Sequence, residues 1–261
     1  MRRLLMERLR IYIPPETYVL PRVADQRVRG RALQWPSFVD LTLASFEYHA
    51  EFNTFNIDNL RNYAIKAKKW SRDKQNLESL ILGLYSHLAL NEKFQFDWLG
   101  DKTPVNTLHM GRLSRVMKGA RYIFLLRDGV DVSVSYVNSG IYNNLTEAAE
   151  RWVRSQNSWE TFRRTLPEEQ YLEVRYENLV TFPEENIDRI SEHFGIPHRK
   201  GEESVWRLMG DVTVHGHHHN VAGAPNTESI GKGRRSLTDN GAKELRAVLS
   251  GWLEYWGYSR V

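Results

Sequence analysis

An arginine that closes an apolar strand and a serine eight residues later on a new helix can hold a phosphate between them. The stretch "YIFLLRDGVDVSVSY", residues 122–136, has this pattern, with Arg127 and Ser135 as the pair. In a parallel sheet, ligands sit at the carboxyl ends of strands, where the next helix turns its positive end toward them. A guanidinium fork plus a hydroxyl about two helical turns on then suits a phosphate, a charge-assisted contact of about 1.5–3 kcal/mol. The competing reading is an ion pair of Arg127 with Asp128 or Asp131 at the surface. A second cluster, "HGHHH" at 215–219, puts four histidines in five residues. With no cysteine in the chain and no carboxylate at ligand spacing, a solvated or loop-forming role suits these histidines better than a metal site.

The elements that must position these residues are legible in the apolar spacing. Leu4, Leu5 and Leu9 share one helical face, and Pro14-Pro15 is expected to stop that helix. "ETYVLPRV" reads as extended. Residues 37–95 read as helical, and "DKTP" at 101–104 as a turn, because Pro104 pushes Thr103 out of the helical region. A short helix through Leu108, Leu113 and Val116 leads to the strand "RYIFLL". A helix follows Gly129, and a longer one, "LTEAAERWVRSQNSWETF", takes Thr146 as its expected cap. "YLEVRY" is a second strand, and "FPEENIDRISEHFG" a helix from Pro183 to a stop at Gly195. Residues 210–236 read as a loop. On the last helix, Leu245, Val248, Leu249, Trp252 and Trp256 face the core, and Trp152 and Trp159 are expected to do the same. Apolar strands alternating with helices point to an α/β fold with a parallel sheet.

Bulk composition narrows the function. The chain has 261 residues and a net charge of +4, with 26% charged and 41% apolar residues, and a pI of about 9.2. One soluble domain over 1–261 is expected. A mild positive excess suits an anionic small molecule and is too diffuse to argue for nucleic acid. The absence of cysteine excludes disulfides and thiolate catalysis and is compatible with a reducing, cytoplasmic setting. No run approaches the roughly 20 apolar residues of a membrane span. "MRRLLMERLRIYI" carries Glu7, Arg8 and Arg10 where a signal peptide would be apolar, so it reads as a helix of the mature protein.

"FLLRDGVDVSVSY" resembles the 3′-phosphate segment of the sulfotransferases that use 3′-phosphoadenosine-5′-phosphosulfate (PAPS). Arg127 and Ser135 match that segment in type and spacing; Gly129 stands where proline is usual. "VRYENLV", 174–180, is similar to the family's "YEDL", which implies Tyr176 against the adenine. "HNVAGAPNTESIGKGRRSL" is similar to the late loop that closes over the nucleotide. Lys232, Arg234 and Arg235 are its basic candidates, with His219 on the substrate side. "GDKTP" also recurs in bacterial members and in relatives of the tyrosylprotein sulfotransferases. The resemblance implies a P-loop-NTPase-like three-layer sandwich with a central parallel sheet, residues 37–95 as a helical acceptor-side insertion and 210–236 as the closing loop. It also implies PAPS as donor, 3′,5′-ADP as product and a hydroxyl or amine of a small molecule, glycan or protein as acceptor. The acceptor's identity and the oligomeric state are not legible.

The family normally opens with a strand and a glycine-bearing loop that cradles the 5′-phosphosulfate. No glycine precedes Gly30, and no G-x-x-x-x-G-K-[ST] pattern occurs. The expectation is therefore a chain that lacks the first strand and phosphate loop through a late start, the alternative being a homologue that binds nucleotide and transfers nothing. A kinase-like enzyme is disfavoured, since no Walker loop is present. "PPETYVLPRV" resembles the "EETRVIPR" stretch that carries the base of tyrosylprotein sulfotransferases. Glu16 matches its second acid and Pro15 its first, which makes Glu16 the candidate general base. Lys102 is the candidate positive charge near the acceptor, against a plain solvated turn lysine.

Overall fold

A computed structural model describes residues 1–29, 33–199, 205–208 and 226–261. The chain divides into two compact units, Met1–Ala120 with Gly195–Ala222, and Arg121–Phe194 with Gly223–Val261. Among the described residues the strands are short and all paired in parallel, and most of the chain is helical. No helix of the described residues is long and apolar enough to cross a membrane.

The first unit begins with α1 (Arg2–Leu9), which buries Leu4, Leu5, Met6 and Leu9. It ends five residues before Pro14. Arg10 takes a left-handed conformation, φ 50°, and returns its N–H to Leu5 O. Tertiary contacts hold this non-glycine outlier in place: its guanidinium donates to Gln95 Oε1 at 2.9 Å, and its carbonyl accepts from Asp97 N at 3.0 Å. The reversal sends the chain into β1 (Ile11–Tyr12). The stretch expected to be extended turns at Tyr18, whose φ of 51° is left-handed; from Leu20 it is helical, α2 (Leu20–Arg29), with Pro21 in the first turn where its missing N–H is harmless. Residues 37–95 are largely helical, as expected: α3 (Trp35–Glu47), α4 (Arg61–Lys68) and α5 (Leu77–Asn91), the last capped by Asn76. β2 (Trp98–Leu99) pairs with β1 in the register Ile11↔Trp98 and Tyr12↔Leu99. Thr103 is extended, φ −124° and ψ 118°, before the 3-10 turn Pro104–His109 and α6 (Met110–Leu113).

Asp101 sits between β2 and that turn. Its carboxylate accepts from Thr17 Oγ1 at 3.0 Å, Tyr85 Oη at 2.6 Å and Asn106 Nδ2 at 2.6 Å. One carboxylate thus joins the segment after β1, α5 and the 104–109 turn.

The second unit contains β3 (Tyr122–Leu126), α7 (Gly129–Asn138), α8 (Leu145–Arg163), β4 (Tyr171–Arg175), α9 (Tyr176–Thr181), α10 (Pro183–Phe194), α11 (Lys232–Ser236) and α12 (Asp239–Tyr255). β3 and β4 pair in parallel from Tyr122↔Tyr171 to Leu126↔Arg175. Trp159, 1% exposed, stacks on Phe124 at 4.7 Å with the planes 3° apart, and Trp152 on the same helix is also buried. Asn144, not Thr146, caps α8, its side chain accepting from Glu147 N at 2.8 Å. α10 stops at Gly195, φ 61°. Within the stretch expected to be a loop, residues 232–236 are helical. Gly233 permits this: a Cβ there would stand 2.8 Å from the Cα of Asp131, so only glycine lets α11 lie against α7.

Two outcomes follow from these contacts. Asn144→Ala should lower the unfolding free energy by about 1 kcal/mol, with Thr146→Ala near neutral, as read from urea midpoints. Burial holds the Asp101 carboxyl above the ordinary carboxylate range. Between the ordinary and raised values the folded chain keeps a proton that the unfolded chain releases, so stability falls as pH rises through that window. Asp101→Asn removes this slope. Urea unfolding in steps from acid to neutral pH should therefore show wild type losing stability relative to the variant as pH rises, and parallel curves would contradict the assignment.

Candidate functional site

The register of β3 against β4 builds a corner of the second unit. One residue past the last pair, Leu126↔Arg175, the two chains deliver Arg127 and Tyr176 side by side. The Arg127 guanidinium lies over the Tyr176 ring, Cζ 4.5 Å from the centroid. Its Nη2 donates to Ser229 O at 2.8 Å, and Asp131 Oδ2 stands 3.9 Å away. Its Nε is buried without a hydrogen-bond partner, the one such atom on a charged side chain among the described residues. An unmatched buried donor costs about 1–3 kcal/mol, which an incoming acceptor would recover. Of the two competing pairings, the one with Asp131 forms, at ion-pair distance and on a buried carboxylate instead of at the surface; the one with Asp128 does not, because Asp128 serves elsewhere.

Asp128 caps α7, accepting from Val130 N at 2.8 Å, and its other oxygen receives Arg234 Nε at 2.7 Å. The cap starts the helix that a proline would otherwise have set. Glycine at 129 also relieves a tight contact: a Cβ there would stand 3.1 Å from the Trp152 indole, whose Nε1 donates to Arg127 O at 3.1 Å. Ser135 lies one turn beyond Asp131 on α7 and is exposed. Glu177, which the sequence reading left without a role, accepts from Asp128 N at 2.9 Å and from Tyr258 Oη at 2.9 Å, and so fixes the backbone on which Arg127 stands.

The described end of the closing loop, residues 226–236, meets this corner. Tyr176 Oη and Ser229 Oγ are 2.7 Å apart. Asp131, 2% exposed, accepts Gly231 N at 2.6 Å, Gly233 N at 2.8 Å and Arg234 N at 3.4 Å. The three basic candidates divide. Arg234 points inward, its Nη1 and Nη2 bound to Arg260 O at 3.1 Å and Ser259 O at 2.7 Å, so it braces the loop. Lys232 and Arg235 are exposed, Arg235 with one nitrogen on Ile230 O at 3.0 Å. His219 and the rest of the histidine run lie outside the described residues.

In the first unit, Glu16 and Lys102 come together from residues 86 positions apart, Lys102 Nζ donating to Glu16 Oε1. The lysine is therefore paired, not merely solvated. Tyr18 Oη donates to the other carboxylate oxygen, Oε2. Thr17 N donates to Thr103 Oγ1 at 3.0 Å, which ties the Glu16 stretch to the "DKTP" turn. Tyr18 was not singled out from the sequence; its place two residues after Glu16 was the available signal.

No curated protein matches the chain by sequence. Solved structures share its fold, among them two sulfotransferase domains. The sulfotransferase domain from the Synechococcus PCC 7002 olefin synthase is 20% identical, with a TM-score of 0.64 over 99% of this chain and 89% of that one. The sulfotransferase domain from the curacin biosynthetic pathway is 17% identical, with a TM-score of 0.60 over 100% of this chain and 93% of that one. These likenesses show the P-loop-like α/β fold of sulfotransferase domains. The sulfotransferase family model matches residues 1–200, most of the chain, and the protein belongs to the sulfotransferase family.

Proposed function

We propose that this protein transfers a sulfuryl group from PAPS to a hydroxyl-bearing acceptor and releases 3′,5′-ADP. The observation that carries the donor assignment is the Arg127 guanidinium, stacked on Tyr176 and left with a buried, unmatched Nε. A ribose 3′-phosphate on that donor, with the Ser135 hydroxyl and the exposed cations Lys232 and Arg235 around it, would match charge with charge. Tyr176 supports the guanidinium from one side and offers its ring to the adenine. Arg234 and Glu177 hold the backbone that presents these groups.

Sulfuryl transfer is an in-line displacement, which asks for positioning and for positive charge near the transferring oxygens. Glu16 is the proposed general base for the acceptor's proton. Lys102, on its other oxygen, orients the carboxylate and supplies positive charge. The acceptor class follows from chemistry alone: a small molecule, glycan or protein whose hydroxyl can reach a carboxylate. The structural relatives come from an olefin synthase and the curacin biosynthetic pathway, which favours a biosynthetic intermediate as acceptor.

Calorimetric titration with 3′,5′-ADP and 5′-AMP tests the donor site. Wild type should prefer 3′,5′-ADP, and Arg127→Ala should lose about 10- to 100-fold of that preference, the worth of one charge-assisted contact. An unchanged preference would contradict the assignment. Release of 3′,5′-ADP from PAPS with a panel of alcohols and phenols tests the base. Glu16→Gln should lower kcat by about 10²- to 10⁴-fold with the affinity for 3′,5′-ADP unchanged. Tight 3′,5′-ADP binding with no transfer to any acceptor would establish the non-catalytic alternative.

A further inference from the structure

Tyr18 is built into its position. It is the centre of a tight turn in which Val19 N returns to Thr17 O at 2.6 Å, and its φ of 51° lies in the left-handed region that bulky residues avoid. Such strain persists only where flanking contacts hold it. Here Thr17 is held by Thr103 and Asp101, and Val19 is 3% exposed. The turn presses a tyrosine that is itself 41% exposed against a carboxylate. The Tyr18 ring stacks on His49, centroids 5.6 Å apart and planes at 10°, while its hydroxyl donates to Glu16 Oε2. Lys102 holds Oε1 of the same group. A phenol is therefore already docked on the carboxylate proposed to take an acceptor's proton, with its outer side open to solvent.

We propose that Tyr18 is an internal acceptor, O-sulfated by the donor-loaded protein when no outside acceptor is present. This rests on the reading of Glu16 as the base and PAPS as the donor. In the step, the phenolic oxygen forms a bond to sulfur as the bond from sulfur to the bridging phosphate oxygen breaks. The phenolic proton passes to Glu16 Oε2, and the electron pair leaves with 3′,5′-ADP. The product aryl sulfate has no proton to donate and carries a charge like that of Glu16, so it leaves the carboxylate and each chain is modified once.

The test incubates the full chain with PAPS alone, followed by intact-mass measurement and peptide mapping. The expected result is one added SO3 per chain, on Tyr18. It should be absent in Tyr18→Phe, which keeps the ring on His49, and slowed about 10²- to 10⁴-fold in Glu16→Gln. A protein that binds 3′,5′-ADP but stays unmodified, or is modified elsewhere, overturns the internal acceptor and leaves the base reading standing. Sulfation of Tyr18 at an equal rate in Glu16→Gln supports the internal acceptor and overturns Glu16 as its base. Failure to bind 3′,5′-ADP overturns the inference together with the donor reading beneath it.

Discussion

A buried carboxylate must be met by donors, and the way Asp131 is met organises the second unit. It takes three backbone N–H groups from residues 231–234, about a hundred positions away in sequence. That demand brings α11 onto α7, and Gly233 is the residue whose lack of a side chain lets it close. The same contact delivers Ser229 to Arg127 and Tyr176. Asp131 therefore stands between the guanidinium and the closing loop, at ion-pair distance from Arg127 and already satisfied by other donors. The guanidinium keeps an unmatched nitrogen as a result. Buried polar groups are costly when unmatched, and an acceptor from outside the chain would recover that cost, which is the basis of the proposed donor site.

The first unit follows the same logic with Asp101. Three side-chain donors converge on it, and burial raises its proton affinity. Two non-glycine residues, Arg10 and Tyr18, hold left-handed backbone on either side of β1. At Arg10 the strain turns a helix into a strand. At Tyr18 it aims an aromatic hydroxyl at Glu16. In both places the neighbours that hold the backbone come from residues 95–103, so the short β1–β2 ladder and the "DKTP" turn act as one support for the carboxylate.

Much of the fold was legible because apolar period is a local property. The strand ending at Arg127, the helix after it, the "YLEVRY" strand and the helix from Pro183 to Gly195 stand where the spacing put them. Misreadings fell where a tertiary contact overrode a local signal. Pro14-Pro15 looked like the end of the first helix, but Arg10 ends it earlier through bonds to Gln95 and Asp97. Thr146 is a good cap by type, yet Asn144 reaches Glu147 N first. The 232–236 stretch is glycine-rich and basic, so nothing local predicts a helix; its N–H groups find their acceptor on Asp131.

Residue type and spacing along the chain were enough for the family, for the strand-ending Arg127 with Ser135 two turns on, and for Glu16 and Lys102 as separate candidates. Tertiary structure alone decided that Arg127 lies on Tyr176, that Arg234 turns inward, that Glu177 fixes the strand end, and that Tyr18 shares Glu16 with Lys102. Each of those is an interaction between groups far apart in the chain or on a strained turn. Its energy depends on distance and burial, quantities that exist only once the backbone has folded.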